Sequence, residues 1–344
     1  MKAFVIIVIL VVGGWFAWTK WGGADPVEGD ATEQAGDSAF NAVDDGDAEP
    51  PEGDQASGDL SADLEALLKD SERRWELCVA EGRDPALDKQ APKLALDYST
   101  VLKATYNVPA MKEMQERIVT ERLLPLSAKL FFSKYRYNDD ETGIFKQHKV
   151  AQGERPDSIG RDYGMSYQFI NLMRERPAED GELKLGENLK VLAAKEHGGY
   201  YVHVDKGDYF ADVYACGILV KRFAVGVGAI ETPSPLGKAH IDMRSLEPDW
   251  TDPNSGEVYA WNDERNLLGR VWLRLKADEI GQDGIGLHGY NGNPEQAVKV
   301  QASNGCIRMR NPDAELLYNI MVPVGYYPTE GFLQRAKMLV EIVE

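Results

Sequence analysis

Apolar residues are distributed along the chain in three textures. The first is a run of 16 uncharged, mostly apolar residues, Ala3–Trp18, between Lys2 and Lys20. From residue 61 the spacing becomes helical: Leu64, Leu67, Leu68, Trp75 and Leu77 recur near one turn, behind Ser61 as a capping residue with Glu65 close by. A second helix is predicted over Ala91–Tyr106. A third is predicted over Pro109–Tyr135, with Met111, Met114, Ile118, Leu123 and Leu126 as its stripe and a kink at Pro125. Between His148 and Val191 the order is short strand, two helical stretches, short strand. Beyond residue 199 the texture is that of strands: Tyr200–Val204, Tyr209–Tyr214, Ile218–Val225 and Val271–Leu275. Lys206-Gly207-Asp208 suits a hairpin turn, and residues 232–237 (T-P-S-P-L-G) suit a loop. Asn311-Pro312-Asp313 opens a helix, with Asn as cap, Pro at the first position and Leu316, Leu317, Ile320 and Met321 on the apolar face. Met338–Val343 reads as a closing strand, and Cys216 falls in a predicted strand.

As a helix the first run spans about 24 Å, a little short of the roughly 30 Å hydrocarbon core. It suits a membrane anchor, with Trp15, Trp18 and Trp21 at the interface, or a signal segment cleaved near Gly22-Gly23-Ala24. Either assignment exports the rest of the chain. Residues 25–60 then carry 12 Asp or Glu and no Lys or Arg, a composition that stays disordered for want of apolar surface to bury. The net charge is −18, from 56 acidic against 38 basic side chains. The first 60 residues hold −10 of it (12 acidic against Lys2 and Lys20). No basic face is visible, which argues against nonspecific nucleic-acid binding. The expected organisation is therefore an anchor or signal segment (1–22), an acidic disordered linker (23–60), a helical bundle (61–138), a small α/β unit (145–194) and a mainly β domain (199–344).

Three cysteines, Cys78, Cys216 and Cys306, are too few for a disulfide scaffold, and the odd number leaves a thiol free. Cys78 and Cys216 read as core thiols. Cys306 is different. It sits behind Gly305 in S-N-G-C-I-R-M (303–309), 18 residues after His288 in G-I-G-L-H-G (284–289). A free thiol is only about 3% thiolate at pH 7, and an imidazole within reach can take its proton and later return it to a leaving amine. Gly305 permits close backbone approach, so amides near Asn304–Cys306 can face an oxyanion. Arg308 suits a substrate carboxylate or a brace for the cysteine loop. Ser303 suits a turn hydrogen bond or a substrate contact, and His240 is a further candidate for the cleft. His148, His197 and His203 show no metal-ligand spacing, so no metal is expected.

Taken together, His288-Gly289 and Ser303-Asn304-Gly305-Cys306-Ile307-Arg308 resemble the H-G … S-x-G-C-[IV]-R signature of the YkuD-type L,D-transpeptidase catalytic domain. Gly226-Val227-Gly228, the Thr232-Pro233 … Gly237 loop and N-L-L-G-R-V-W-L (266–273) fit the same pattern. The resemblance covers about 199–325. It implies a mostly β fold, peptidoglycan stem peptides as partners and no cofactor. It makes Cys306 the nucleophile, His288 the general base and acid, and the Gly289 carbonyl the group that orients the imidazole. The oxyanion and substrate side falls to Ser303, Asn304, Gly305, Arg308 and Tyr290. The implied reaction is attack on the L-centre carbonyl of diaminopimelate, release of D-Ala, and transfer of the thioester to a neighbouring side-chain amine as a 3→3 cross-link. Water or a protein amine as acceptor, or a catalytically silent peptidoglycan-binding scaffold, are the alternatives. The sequence departs from the family in the extra residue of the 232–237 loop, in Tyr290 after His-Gly, and in an insertion over Tyr326–Lys337. Residues 148–191 separately resemble a LysM module, which implies binding to glycan strands, with Pro156 and Arg174 off its pattern. The implied location is the cell envelope, periplasm or wall, with residues 3–19 as the membrane anchor.

Overall fold

The computed structural model describes residues 60–253, 255–322 and 338–344. The anchor and linker expectations, and the insertion over 326–337, lie outside the described residues. Among the described residues no helix is long and apolar enough to cross a membrane.

Helix α1 (Ala62–Ala80) starts at Ser61, whose side chain accepts from the Leu64 amide at 3.4 Å. Helix α2 (Ala91–Thr105) follows, then α3 (Lys112–Arg117) and α4 (Leu124–Phe131). The single third helix expected over 109–135 is thus interrupted. A π-helical turn over Ile118–Leu123 lies just before Pro125, and the helix ends at Phe131. Proline has no N–H to continue the ladder, so the preceding turn widens to rehouse the freed carbonyls. Strand β1 (Phe145–Lys149), helices α5 (Pro156–Tyr163) and α6 (Tyr167–Met173), and strand β2 (Asn188–Leu192) make the βααβ unit, its strands antiparallel. Arg174 ends α6 and pairs with Glu187 at 3.0 Å, which ties down the loop before β2.

Strands β3 (Tyr200–Asp205), β4 (Phe210–Ala215) and β5 (Ile218–Ala224) form an antiparallel meander. They are followed by β6 (Val227–Gly228), the long β7 (Gly237–Leu246), a small hairpin of β8 (Trp250–Thr251) and β9 (Val258–Tyr259), and β10 (Leu268–Leu275). Helix α7 (Ala277–Ile280), β11 (Gly286–Tyr290), β12 (Gln301–Ser303), β13 (Ile307–Met309), α8 (Asn311–Ile320) and β14 (Leu339–Val343) complete the described chain. Among the described residues the main sheet has eight strands in the order β13-β11-β10-β7-β14-β3-β4-β5. The closing strand enters its middle, parallel to β3 and antiparallel to β7.

Two local expectations are corrected. Cys216 lies in the β4–β5 turn at φ +52°, not in a strand, although it is buried. Asn311 is the first helical residue of α8, and Arg310 holds the cap position without a side-chain cap bond. The Asn311 amide is used elsewhere, donating to Asn291 Oδ1 at 2.9 Å.

The described residues pack as one compact unit around a continuous core. Phe131 stacks on Phe169 at 5.9 Å, joining α4 to α6. Ser99 on α2 accepts from the Leu219 amide of β5 at 3.0 Å. Arg244 on β7 lies 3.9 Å over the ring of Tyr318 on α8.

Candidate active site

Parallel pairing of β11 with β13 sets Leu287 beside Ile307 and His288 beside Arg308. Cys306, one residue before β13, is thereby brought to the start of β11, where the Gly286 amide donates to its sulfur. The thiol itself points to the Gly284 carbonyl at 3.4 Å. His288 is buried, and its Nδ1 meets the Gly289 carbonyl at 2.5 Å. That bond fixes the tautomer with the proton on Nδ1 and leaves Nε2 as the basic nitrogen. Trp272 from β10 stands 5.8 Å from the imidazole, ring to ring.

His288, Cys306, Ser303, Asn304, Arg308 and Tyr290 all line one cleft of about 480 Å³. The cysteine loop is held from both sides. Ser303 donates through its hydroxyl to the Cys306 carbonyl at 2.6 Å, and its own carbonyl accepts from the Ala229 amide at 2.8 Å and Thr232 Oγ1 at 2.9 Å. Gly305 turns the loop at φ +99°, where a Cβ would lie 2.9 Å from Ile285 Cδ1. Glycines 226 and 228 serve close approach: a Cβ on Gly226 would meet the Ala297 carbonyl oxygen at 2.5 Å, and one on Gly228 the Thr232 oxygen at 2.2 Å. Asn311 Oδ1 occupies the space that a Cβ on Gly289 or Gly269 would need.

Arg308 braces the loop through its backbone, exchanging hydrogen bonds with Gly226 at 2.8 and 2.9 Å. Its guanidinium lies 4.2 Å over the Tyr290 ring, and its buried Nε has no hydrogen-bond partner among the described residues. His240 does not join the cleft; its Nδ1 pairs with Glu279 at 2.8 Å. Among the described residues no group of three or more His, Cys, Asp or Glu is placed to hold a metal ion.

Burial pushes the Cys306 thiol up to about 11, against the Gly286 amide and the Arg308 charge, which favour thiolate. Burial also pulls His288 down to about 4; the Gly289 bond opposes the fall and Arg308 adds to it. At neutral pH the two groups are therefore a neutral thiol and a neutral imidazole.

Sequence reasoning missed the wall opposite. Asp249, Trp250, Thr251 and Pro253, from the β8–β9 hairpin, line the cleft together with Trp272 and Gln282. Trp250 stacks on Tyr259 at 5.8 Å, and buried Asn266 bonds the carbonyls of Pro248, Tyr259 and Ala260 at 3.0 to 3.3 Å. The D-P-N-S-G turn between two aromatic-bearing segments was the available signal for this hairpin.

The fold and cleft so built define a β-rich domain with His288 on β11 and Cys306 just before the neighbouring β13. A family model for the YkuD L,D-transpeptidase catalytic domain matches residues 199–330. Bacillus subtilis (strain 168) YqjB, a protein named as a candidate L,D-transpeptidase, is 30% identical over 105 residues, 30% of this chain and 54% of YqjB. The chain thus spans about half the length of that relative. A solved L,D-transpeptidase from Mycobacterium smegmatis is similar at 15% identity and TM-score 0.31, over 46% of this chain and 64% of that one. The catalytic domain of an E. faecium L,D-transpeptidase acylated by ertapenem is similar at 18% identity and TM-score 0.31, over 42% and 97%.

Proposed function

We propose that the chain is a cysteine-dependent L,D-transpeptidase acting on peptidoglycan in the cell envelope. The observation that carries this reading is the placement of Cys306 and His288 on one cleft, with Nδ1 held by the Gly289 carbonyl. His288 Nε2 takes the thiol proton as the sulfur attacks the acyl carbonyl on the L-centre of diaminopimelate in a tetrapeptide stem. Amides of the turn around Gly305 and Cys306 stabilise the oxyanion, and the imidazolium returns the proton to the departing D-Ala amine. The thioester is then taken by the side-chain amine of a second stem, giving a 3→3 cross-link. The aromatic wall of Trp250, Trp272 and Tyr290 shields the thioester from water. The partner-free Nε of Arg308 at this wall suits a stem-peptide carboxylate. No cofactor enters, because the acyl-enzyme conserves the donor bond. The βααβ unit is proposed to contact glycan strands, as its LysM-like order suggests.

The test is incubation of the full chain with disaccharide-tetrapeptide, followed by mass spectrometry, beside a Cys306→Ala control. A cross-linked dimer with loss of D-Ala, absent from the control, is the expected result. Tripeptide alone would replace the amine acceptor by water. Unchanged substrate with a folded, reduced protein would favour a peptidoglycan-binding scaffold instead.

A further inference from the structure

A second cavity of about 310 Å³ shares no lining residue with the catalytic cleft. It forms where α2, the loop entering β3 and the β4–β5 turn meet. Leu96 and the rings of Tyr201 and Tyr214 supply its apolar walls. Both tyrosine hydroxyls are engaged elsewhere, Tyr201 with Glu341 and Tyr214 with Tyr106, so the cavity sees their rings. Gly217 keeps the space open at φ +79°; a Cβ there would stand 3.2 Å from Leu96 and 3.9 Å from Lys103 Nζ.

Lys103 is the unusual member. Its ammonium lies 5.5 Å from the Tyr214 ring centroid, and among the described residues it has no ion-pair partner in a chain with 56 Asp and Glu. The side chain is reachable by solvent yet stands in a concave surround that pulls its pKa below the ordinary lysine value, with no carboxylate opposing that fall. His197 lines the same space. A partly desolvated cation without a counter-charge, over an aromatic floor, gains most from one anion that brings its own apolar body. Inorganic phosphate needs more donors than one ammonium and one imidazole supply.

We propose that this cavity binds a small organic carboxylate, with its charge on Lys103 and its body against Leu96 and the Tyr214 ring. Such a group can be a free acid or the C-terminus of a short peptide. The test is calorimetric titration of the full chain with isobutyrate, with N-acetylalanine, with neutral N-acetylalaninamide and with inorganic phosphate. Saturable one-site binding of at least one acid is expected, unchanged in Cys306→Ala, weakened at least tenfold in Lys103→Met and largely restored in Lys103→Arg. The tighter acid identifies the source. No saturable binding, equal binding by Lys103→Met with an unaltered melting temperature, or equal binding of the amide or of phosphate overturns the proposal.

Discussion

At the scale of single residues, the chemistry turns on how burial acts on two groups of opposite charge type. Desolvation raises a thiol and lowers an imidazole, so Cys306 (about 11) and His288 (about 4) are both neutral at rest. A thiolate–imidazolium pair would instead hold its charge throughout the neutral range. Alkylation of Cys306 by iodoacetamide, mapped by peptide mass spectrometry, is therefore expected to accelerate about tenfold per pH unit between pH 7 and 10. A flat rate over that interval would mean that the ion pair forms without substrate. Cys78 and Cys216 are buried and provide internal references that stay unlabelled while the fold is intact.

At the scale of elements, the cysteine loop is a turn clamped between two strands rather than a flexible arm. Its conformation requires a left-handed residue at Gly305, with Ile285 against the hydrogen that a Cβ would replace. Gly305→Ala is expected to cost about 1–3 kcal/mol of local strain. On the proposed function it should also slow acylation by a tetrapeptide stem at least tenfold, since displacement of a nucleophile by a fraction of an ångström is felt in the rate. Asn304→Ala, one residue earlier and exposed, should leave stability unchanged within about 0.5 kcal/mol. Stopped-flow acylation alongside urea unfolding separates the two effects; similar behaviour of both variants would refute the clamp. The helical spacing of 61–105 and the alternation in β3 to β5 made those elements readable, because each has a repeating apolar face. Strand β11 has no such face, since G-L-H-G-Y offers no repeat and is shaped by its neighbours. The π turn before Pro125 was readable only as a kink.

At the scale of the whole molecule, the helical region, the βααβ unit and the sheet share one core, and a buried polar network crosses it. Tyr106, at the C-terminal cap of α2, stacks on His203 of β3 at 3.8 Å and donates to Asp212 of β4 at 2.5 Å. Fully buried Asp212 also takes two hydrogen bonds from Arg222, at 2.7 and 2.6 Å. Burial first, with Asp212 and Glu341 opposing, pulls His203 down to about 4, and its Nε2 has no partner among the described residues. Both His203 and His288 thus have folded pKa values below the unfolded value near 6.5. The unfolded chain takes up protons first on acidification. Stability is therefore full above about pH 6.5, falls as pH drops towards 4, and loses nothing further from these groups below that. Each contributes about 3 kcal/mol to the loss. Urea unfolding at pH 7 and pH 4.5 should show the decline, and His203→Phe, which keeps the stack on Tyr106, should remove roughly half of it. An unchanged pH slope in that variant would mean that folding leaves the His203 pKa unshifted.

The sequence by itself carried the parts whose identity is written in local chemistry. These are the helical stripes, the alternating strands, and the His288-Gly289 and Ser303–Arg308 segments with the small residues that their turns require. Tertiary structure alone decided what depends on residues distant in sequence. It brought His288 and Cys306 to one cleft by parallel pairing of β11 with β13, and set the aromatic hairpin wall opposite them. It turned Asn311 from a helix cap into a filler against Gly269 and Gly289. It also left Lys103 without a counter-charge among the described residues, at a junction of three elements. Periodicity and turn preference act over a few residues and can be read in order along a chain. Desolvation, close approach and charge pairing depend on which surfaces meet, and those are fixed only when the core closes.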